Sequence, residues 1–183
     1  MLNIFCKKNR SCGCPEYDAD GRLIINMNVK DDTNFLSVYS MTDSPVISSD
    51  VAAFIEGATE ASDPKEKITL KIHSAKIDKE EKKIYDKAIR TYYKERAVAV
   101  SNELHRNNVI SVLLLLLGAL VLTGAIILDY TVSSAIWSEI IDIIAWVLIW
   151  ESADISLFNN SGLRIKKKRF TAFVDMKIEY FDK

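Results

Sequence analysis

Two carboxylates standing inside an otherwise apolar stretch are the most chemically pointed residues in the chain. Glu139 and Asp142 lie three apart in IWSEIIDIIAWVLIWESADISLF, residues 136–158. On a helix turning about 100° per residue they share one face, with Trp146 and Trp150 on the same side. An ionisable group at membrane depth normally faces a partner, water or a cavity. Three chemistries fit that face. In an oligomer it lines a cation-attracting pore. A protonated Asp142 donates a hydrogen bond to a neighbouring helix. Or both carboxylates reach outward to interfacial water. Glu151 and Asp154 fall toward the other end of the stretch, near the inner headgroups. Arg164, Lys166, Lys167, Lys168 and Arg169 follow. Such a run anchors topology and attracts an anionic leaflet, at roughly 1 kcal/mol per residue.

Other reactive side chains are scattered. Cys6, Cys12 and Cys14 form an odd set, which is a poor disulfide framework. As metal ligands they are one short of the four that a structural zinc site needs. Free thiols in a reducing compartment, a metal site and acylation are the three readings. His73 and His105 are distant from them and from each other. No GxGxxG, GxxxxGKS/T or GxSxG is present, and the expectation is a non-enzymatic chain with no metal and no cofactor. Lys plus Arg is 24 and Asp plus Glu is 25, which excludes a globally basic nucleic-acid binder.

The elements that must position these residues begin with two membrane spans. Residues 109–128 are uncharged and apolar (ISVLLLLLGALVLTGAIIL from Ile110), close to the roughly 20 residues that cross a hydrocarbon core. This chain is too short to wrap a helix that is apolar on every side. The second span, 136–158, follows a short external link at 129–135. If residue 136 lies at the outer interface, Glu139 sits near the headgroups and Asp142 about one turn deeper. Trp137, Trp146 and Trp150 suit an interfacial or helix-packing role. A re-entrant second helix is the alternative. Lys94, Arg96 and Arg106 precede the first span and the basic run follows the second, while the link has no Lys or Arg. The positive-inside rule then places both termini in the cytoplasm.

Residues 1–20 read as a flexible Cys-containing N-terminus, and 21–106 as a cytosolic α+β domain. Leu23, Ile25, Met27 and Val29 alternate with polar residues, as do Ile68, Leu70 and Ile72, which predicts two half-buried strands. Residues 35–39 suggest another short strand. Ser48–Ser49–Asp50 opens a helix through Phe54 that Gly57 suits to end. Asp78 with Glu81 forms a capping pair for a long helix from about 79. Its stripe is two rows: Ile84, Ala88, Tyr92 and Tyr85, Ile89, Tyr93. No Pro or Gly interrupts 79–117, so one helix runs directly into the first span. In the tail, 159–183, a helix from about 162 to 172 precedes a strand carrying Met176, Ile178 and Tyr180. That strand is expected to join Ile68–Ile72 in one sheet.

The fold class is therefore α+β: a transmembrane α-helical hairpin with a small cytosolic domain built from both termini. PVISSDVAAFIE, ITLKIHS followed by IDKEEKKIYDKAIRTYY, EIIDIIAWVLIWESADI and LRIKKKRF together resemble a group of small, uncharacterised bacterial two-span membrane proteins. The resemblance covers most of the chain from Pro45 and is most specific at Trp146–Glu151. It implies architecture and a bacterial inner membrane, and carries no activity. The expected partners are the lipid bilayer and a homo-oligomer or an unknown membrane or cytosolic protein, not nucleic acid. The leading function is a sensing or scaffolding module. A pore-forming or membrane-perturbing effector and an accessory transporter subunit are the alternatives.

Overall fold

A computed structural model describes residues 16–30, 33–41, 43–74, 77–131 and 135–181, without the side chains of 129–138. Cys6, Cys12 and Cys14, the middle of the 129–135 link and the Trp137 side chain lie outside the described residues. The chain divides into two units. One combines Met1–Arg96 with Lys168–Lys183, so both ends of the chain build it, and the other is Ala97–Lys167.

The first unit is mixed α and β. Period-two alternation becomes strand β2 (Leu23–Asn28), β3 (Ile68–His73) and β4 (Lys177–Phe181), with a two-residue β1 (Glu16–Tyr17). The sheet order is β1-β2-β3-β4. β1 pairs antiparallel with β2, while β2, β3 and β4 run parallel. Register stacks Leu23 beside Ile68, Ile25 beside Leu70 and Ile178, and Met27 beside Ile72 and Tyr180. These rows form one apolar face, because side chains two apart on a strand point the same way. The other face carries Asn26, Lys71, His73, Lys177, Glu179 and Phe181, with the His73 and Phe181 rings stacked at 5.2 Å.

Parallel neighbours need crossovers. Helix α1 (Ser49–Ala58) makes the one from β2 to β3. Ser48 caps it by accepting from the Val51 N–H at 3.4 Å. Its end differs from expectation. Gly57 lies inside the last turn, and Thr59 is the C-cap, its hydroxyl donating to the Glu56 carbonyl at 2.9 Å. The crossover from β3 to β4 starts on helix α2 (Lys79–Thr131) and returns on helix α4 (Asn160–Val174). The capping pair forms: the Asp78 N–H donates to Glu81 Oε2 at 2.8 Å. α2 then continues without interruption for 53 residues.

The stripe of α2 is narrower than its two rows. Tyr85, Ala88, Ile89 and Tyr93 are buried, but Ile84 is exposed. The ridge in use is centred between Tyr85 and Ile89, and Ile84, about 100° short of Tyr85, falls beyond its edge. Phe35 packs tilted on Tyr85 at 4.4 Å and Phe173 packs on Tyr93 at 4.6 Å. Residues 35–39 form no strand; one bridge, Leu36 to Ile47, is all that pairs there, and Tyr39 is exposed. Arg90 ties the end of α4 to α2, donating to the Val174 carbonyl at 2.6 Å and the Met176 carbonyl at 3.3 Å. Burial first, then the nearby Glu56 carboxylate, pushes the Tyr93 hydroxyl well above its ordinary pKa. Burial and then Asp86 do the same to Tyr180.

Candidate functional site

The second unit pairs α2 with helix α3 (Ala135–Asp154). Leu104, Ser111, Gly118 and Ala125 are the buried positions of α2 here, each seven residues from the next. Among the described side chains of α3, Ala145 and Ser152 are the buried positions, again seven apart. A seven-residue repeat is the seam of a left-handed helix pair. Ser111 Oγ donates to the Ser152 carbonyl at 2.9 Å, and Ser152 Oγ returns a bond to the Ser111 carbonyl at 2.8 Å. A Cβ on Gly118 would lie 2.8 Å from Ile149 Cγ1 and 3.3 Å from the Ala145 oxygen. Contacts that rise along one helix fall along the other, so the pair is antiparallel. Small residues let the backbones approach this closely.

The repeat breaks once. After Ser152 the next buried position is Asn160, eight residues on. The extra residue is absorbed by a π turn, Ile155–Asn159, in which the Asn160 N–H donates to the Ile155 carbonyl five residues back. Ser161 Oγ donates to the Phe158 carbonyl at 2.7 Å. Asn160 Nδ2 donates to Asn108 Oδ1 at 2.7 Å, while Asn160 Oδ1 is buried with no partner among the described residues. The helix expected over 136–158 therefore does not end at 158. The helical path continues through the π turn into α4.

Outside the seam the chemistry inverts. Leu113, Leu116 and Leu120 are 60 %, 62 % and 70 % exposed, and Trp146 and Trp150 are 65 % and 69 %. Only 17 % of the most apolar window of α2 is buried, and that helix is long and apolar enough to cross a membrane. The buried residues meanwhile include two serines and an asparagine. A protein folded for water keeps its polar groups outside and its large apolar groups inside.

Glu139 and Asp142 are exposed, on the flank of α3 that carries Trp146 and Trp150; Asp142, three residues before Ala145, lies nearer the seam than Glu139 does. From the Gly118–Ala145 contact, Asp142 falls level with Val121, about 10 Å along α2 from Leu128 at 1.5 Å per residue. Glu151 is exposed and Asp154 half-buried. Arg164, Lys166, Lys167 and Lys168 are exposed, with Lys167 Nζ donating to Ser101 Oγ at 2.9 Å. Arg169 is half-buried and donates to the Ser62 carbonyl at 3.3 Å. The basic run is thus not uniform, since its last member is turned into the first unit.

The first unit also carries a hollow that sequence reasoning missed. An open hollow of about 400 Å³ sits where β2 ends and α1 begins. Met27, Phe35, Val51 and Phe54 supply apolar surface, and Asn28, Lys30, Asn34 and Asp50 supply polar groups. Sheets with parallel strands place ligand crevices outside the strands' carboxyl ends, and an apolar floor with a few polar groups is the usual make-up of a small-molecule site. Among the described residues, no three His, Cys, Asp or Glu side chains gather closely enough to hold a metal ion. The one available sequence signal was the strand-to-helix order from 23 to 58, and it does not reveal which side chains converge.

No family model, curated protein or solved structure matches the chain.

Proposed function

We propose that the chain is a bacterial inner-membrane protein in which α2 and α3 cross the bilayer as a hairpin, both termini cytoplasmic. The first unit then works at the inner surface as a non-enzymatic sensing module. The observation that carries the membrane reading is the inverted surface of the helix pair, with Ser111, Ser152 and Asn160 inside and Leu113, Leu116, Leu120, Trp146 and Trp150 outside. In lipid, apolar side chains gain nothing by hiding, and helices associate through small and hydrogen-bonding residues. The absence of Lys and Arg between Arg106 and Arg164 supports a short external link. Sensing is supported by the hollow at Asn28, Lys30 and Asp50, whose size and lining suit a small ligand with an apolar body and a polar edge. Washing vesicles at alkaline pH tests the membrane reading: the chain stays with the lipid if the hairpin spans it and is released if it does not.

One observation favours a second reading. Asp142 is exposed well inside the apolar stretch, and an isolated charge facing lipid there costs roughly 2.5–3.5 kcal/mol on insertion scales. A ring of copies turning Glu139 and Asp142 toward water would remove that cost and attract cations. Induced expression separates the two. Depolarisation abolished by Asp142→Asn and Glu139→Gln supports the pore. An unchanged membrane potential supports the sensing module.

A further inference from the structure

We propose that the π turn at Ile155–Asn159 is a movable one-residue insertion, so that the helix after it takes either of two registers against α2. Asn160 faces Asn108 in one register and Asn159 faces it in the other. The seam of α3 repeats every seven residues from Ala145 to Ser152, and Asn160 is reached only because the turn holds one residue more than an α-helix does. If the insertion slips toward the C-terminus, residues it passes turn back by about 100°, one α-helical step. Each seam position is then filled by the residue before it. The sequence is duplicated at the two polar contacts beyond the turn: Asn159 precedes Asn160, and Lys166 precedes Lys167. The amide that meets Asn108 and the ammonium that meets Ser101 are thus supplied in either register.

The observed register is also not fully satisfied. Asn160 Oδ1 is buried with no partner among the described residues, a cost that a buried acceptor bears in full. π turns inside α-helices recur at functional positions, and a helix that repacks between two discrete arrangements is the kind of bistable element through which switching proteins act. The inference needs only the helix pair and stands whether or not that pair lies in a bilayer.

The test uses the full chain in whichever cell fraction holds it, membrane or soluble, with Cys6, Cys12 and Cys14 replaced by serine. Asn108→Cys is combined in turn with Phe158→Cys, Asn159→Cys and Asn160→Cys, and disulfide formation is timed under mild oxidant. The expected result is an Asn159→Cys rate within about tenfold of Asn160→Cys, as for a minor state near a tenth of the molecules, with Phe158→Cys far slower. Deleting Leu157 removes the extra residue, so the Asn160→Cys pair persists and the Asn159→Cys pair is lost. An Asn159→Cys rate no faster than that of Phe158→Cys overturns the proposal, as does a deletion that leaves the ratio unchanged. Amide hydrogen exchange on the unsubstituted chain is an independent check. Residues 156–160 exchange much faster than 148–152 if the insertion moves, and equal protection of the two stretches overturns it.

Discussion

Ser111 and Ser152 exchange hydrogen bonds, each hydroxyl donating to the other's carbonyl at 2.9 and 2.8 Å across the α2–α3 seam. The pairing closes two backbone carbonyls and two hydroxyls in one reciprocal contact. Neither hydroxyl is left in need of water. The same seam is closed one level further by Gly118, where the contact is steric rather than polar.

Substitution at these two levels should differ in size. Ser111→Ala removes one donor, and interhelical hydrogen bonds in membranes average about 0.6 kcal/mol. Gly118→Leu drives carbon into Ile149 and against the Ala145 and Ile149 backbone, an overpacking worth about 1–3 kcal/mol. Thermal denaturation in detergent, followed by circular dichroism, should show a small change for Ser111→Ala and a large one for Gly118→Leu.

Arg90 fastens the α4–β4 corner through the Val174 and Met176 carbonyls. Arg90→Ala removes charge-assisted bonds whose usual worth is about 1.5–3 kcal/mol, less here because the side chain is partly exposed. The edge strand β4 should lose protection first. Limited proteolysis is expected to trim the C-terminus of Arg90→Ala while cleaving the parent chain elsewhere, and Arg90→Lys should recover only part of the protection.

Alkaline pH should unfold the first unit. Tyr93 and Tyr180 hold their protons above the ordinary pKa of 10.0, so the folded state binds those protons more tightly than the unfolded chain. That stability is complete below pH 10 and is lost as pH rises beyond it. Melting temperature is expected to be flat at neutral pH and to fall above 10, with tyrosinate absorbance appearing together with unfolding. Tyr93→Phe should make that fall shallower. Full tyrosine ionisation without any loss of melting temperature would contradict the assignment.

Local periodicity carried much of this fold. Leu23–Ile25–Met27 and Ile68–Leu70–Ile72 alternate because one strand face is buried, and Asp78 with Glu81 is a cap whose partners lie within four residues. Strand order and the parallel pairing of β2, β3 and β4 depend on contacts between distant segments, which no window of sequence contains. The seam was invisible for a different reason. Ser111, Gly118 and Ala125 look like ordinary small residues in an apolar run until α3 fixes which side of α2 is covered. The π turn has no composition of its own, and it shows only as the step from seven to eight between Ser152 and Asn160. Glu139 and Asp142 were legible as charges in an apolar stretch, but their exposure on the Trp146 flank required the register of the pair. The hollow at Met27, Phe35 and Phe54 gathers three separate segments, so no motif announces it.

The proposed topology has α2 and α3 crossing a membrane with both chain ends on its inner side. Its most direct test is labelling of intact cells with a membrane-impermeant thiol reagent, using single cysteines placed by Ser133→Cys in the link and by Lys168→Cys in α4, with the three native cysteines replaced by serine. The prediction is that Ser133→Cys reacts in intact cells and Lys168→Cys reacts only after the membrane is opened. Labelling of both sites in intact cells, or protection of Ser133→Cys with labelling of Lys168→Cys, would contradict the account.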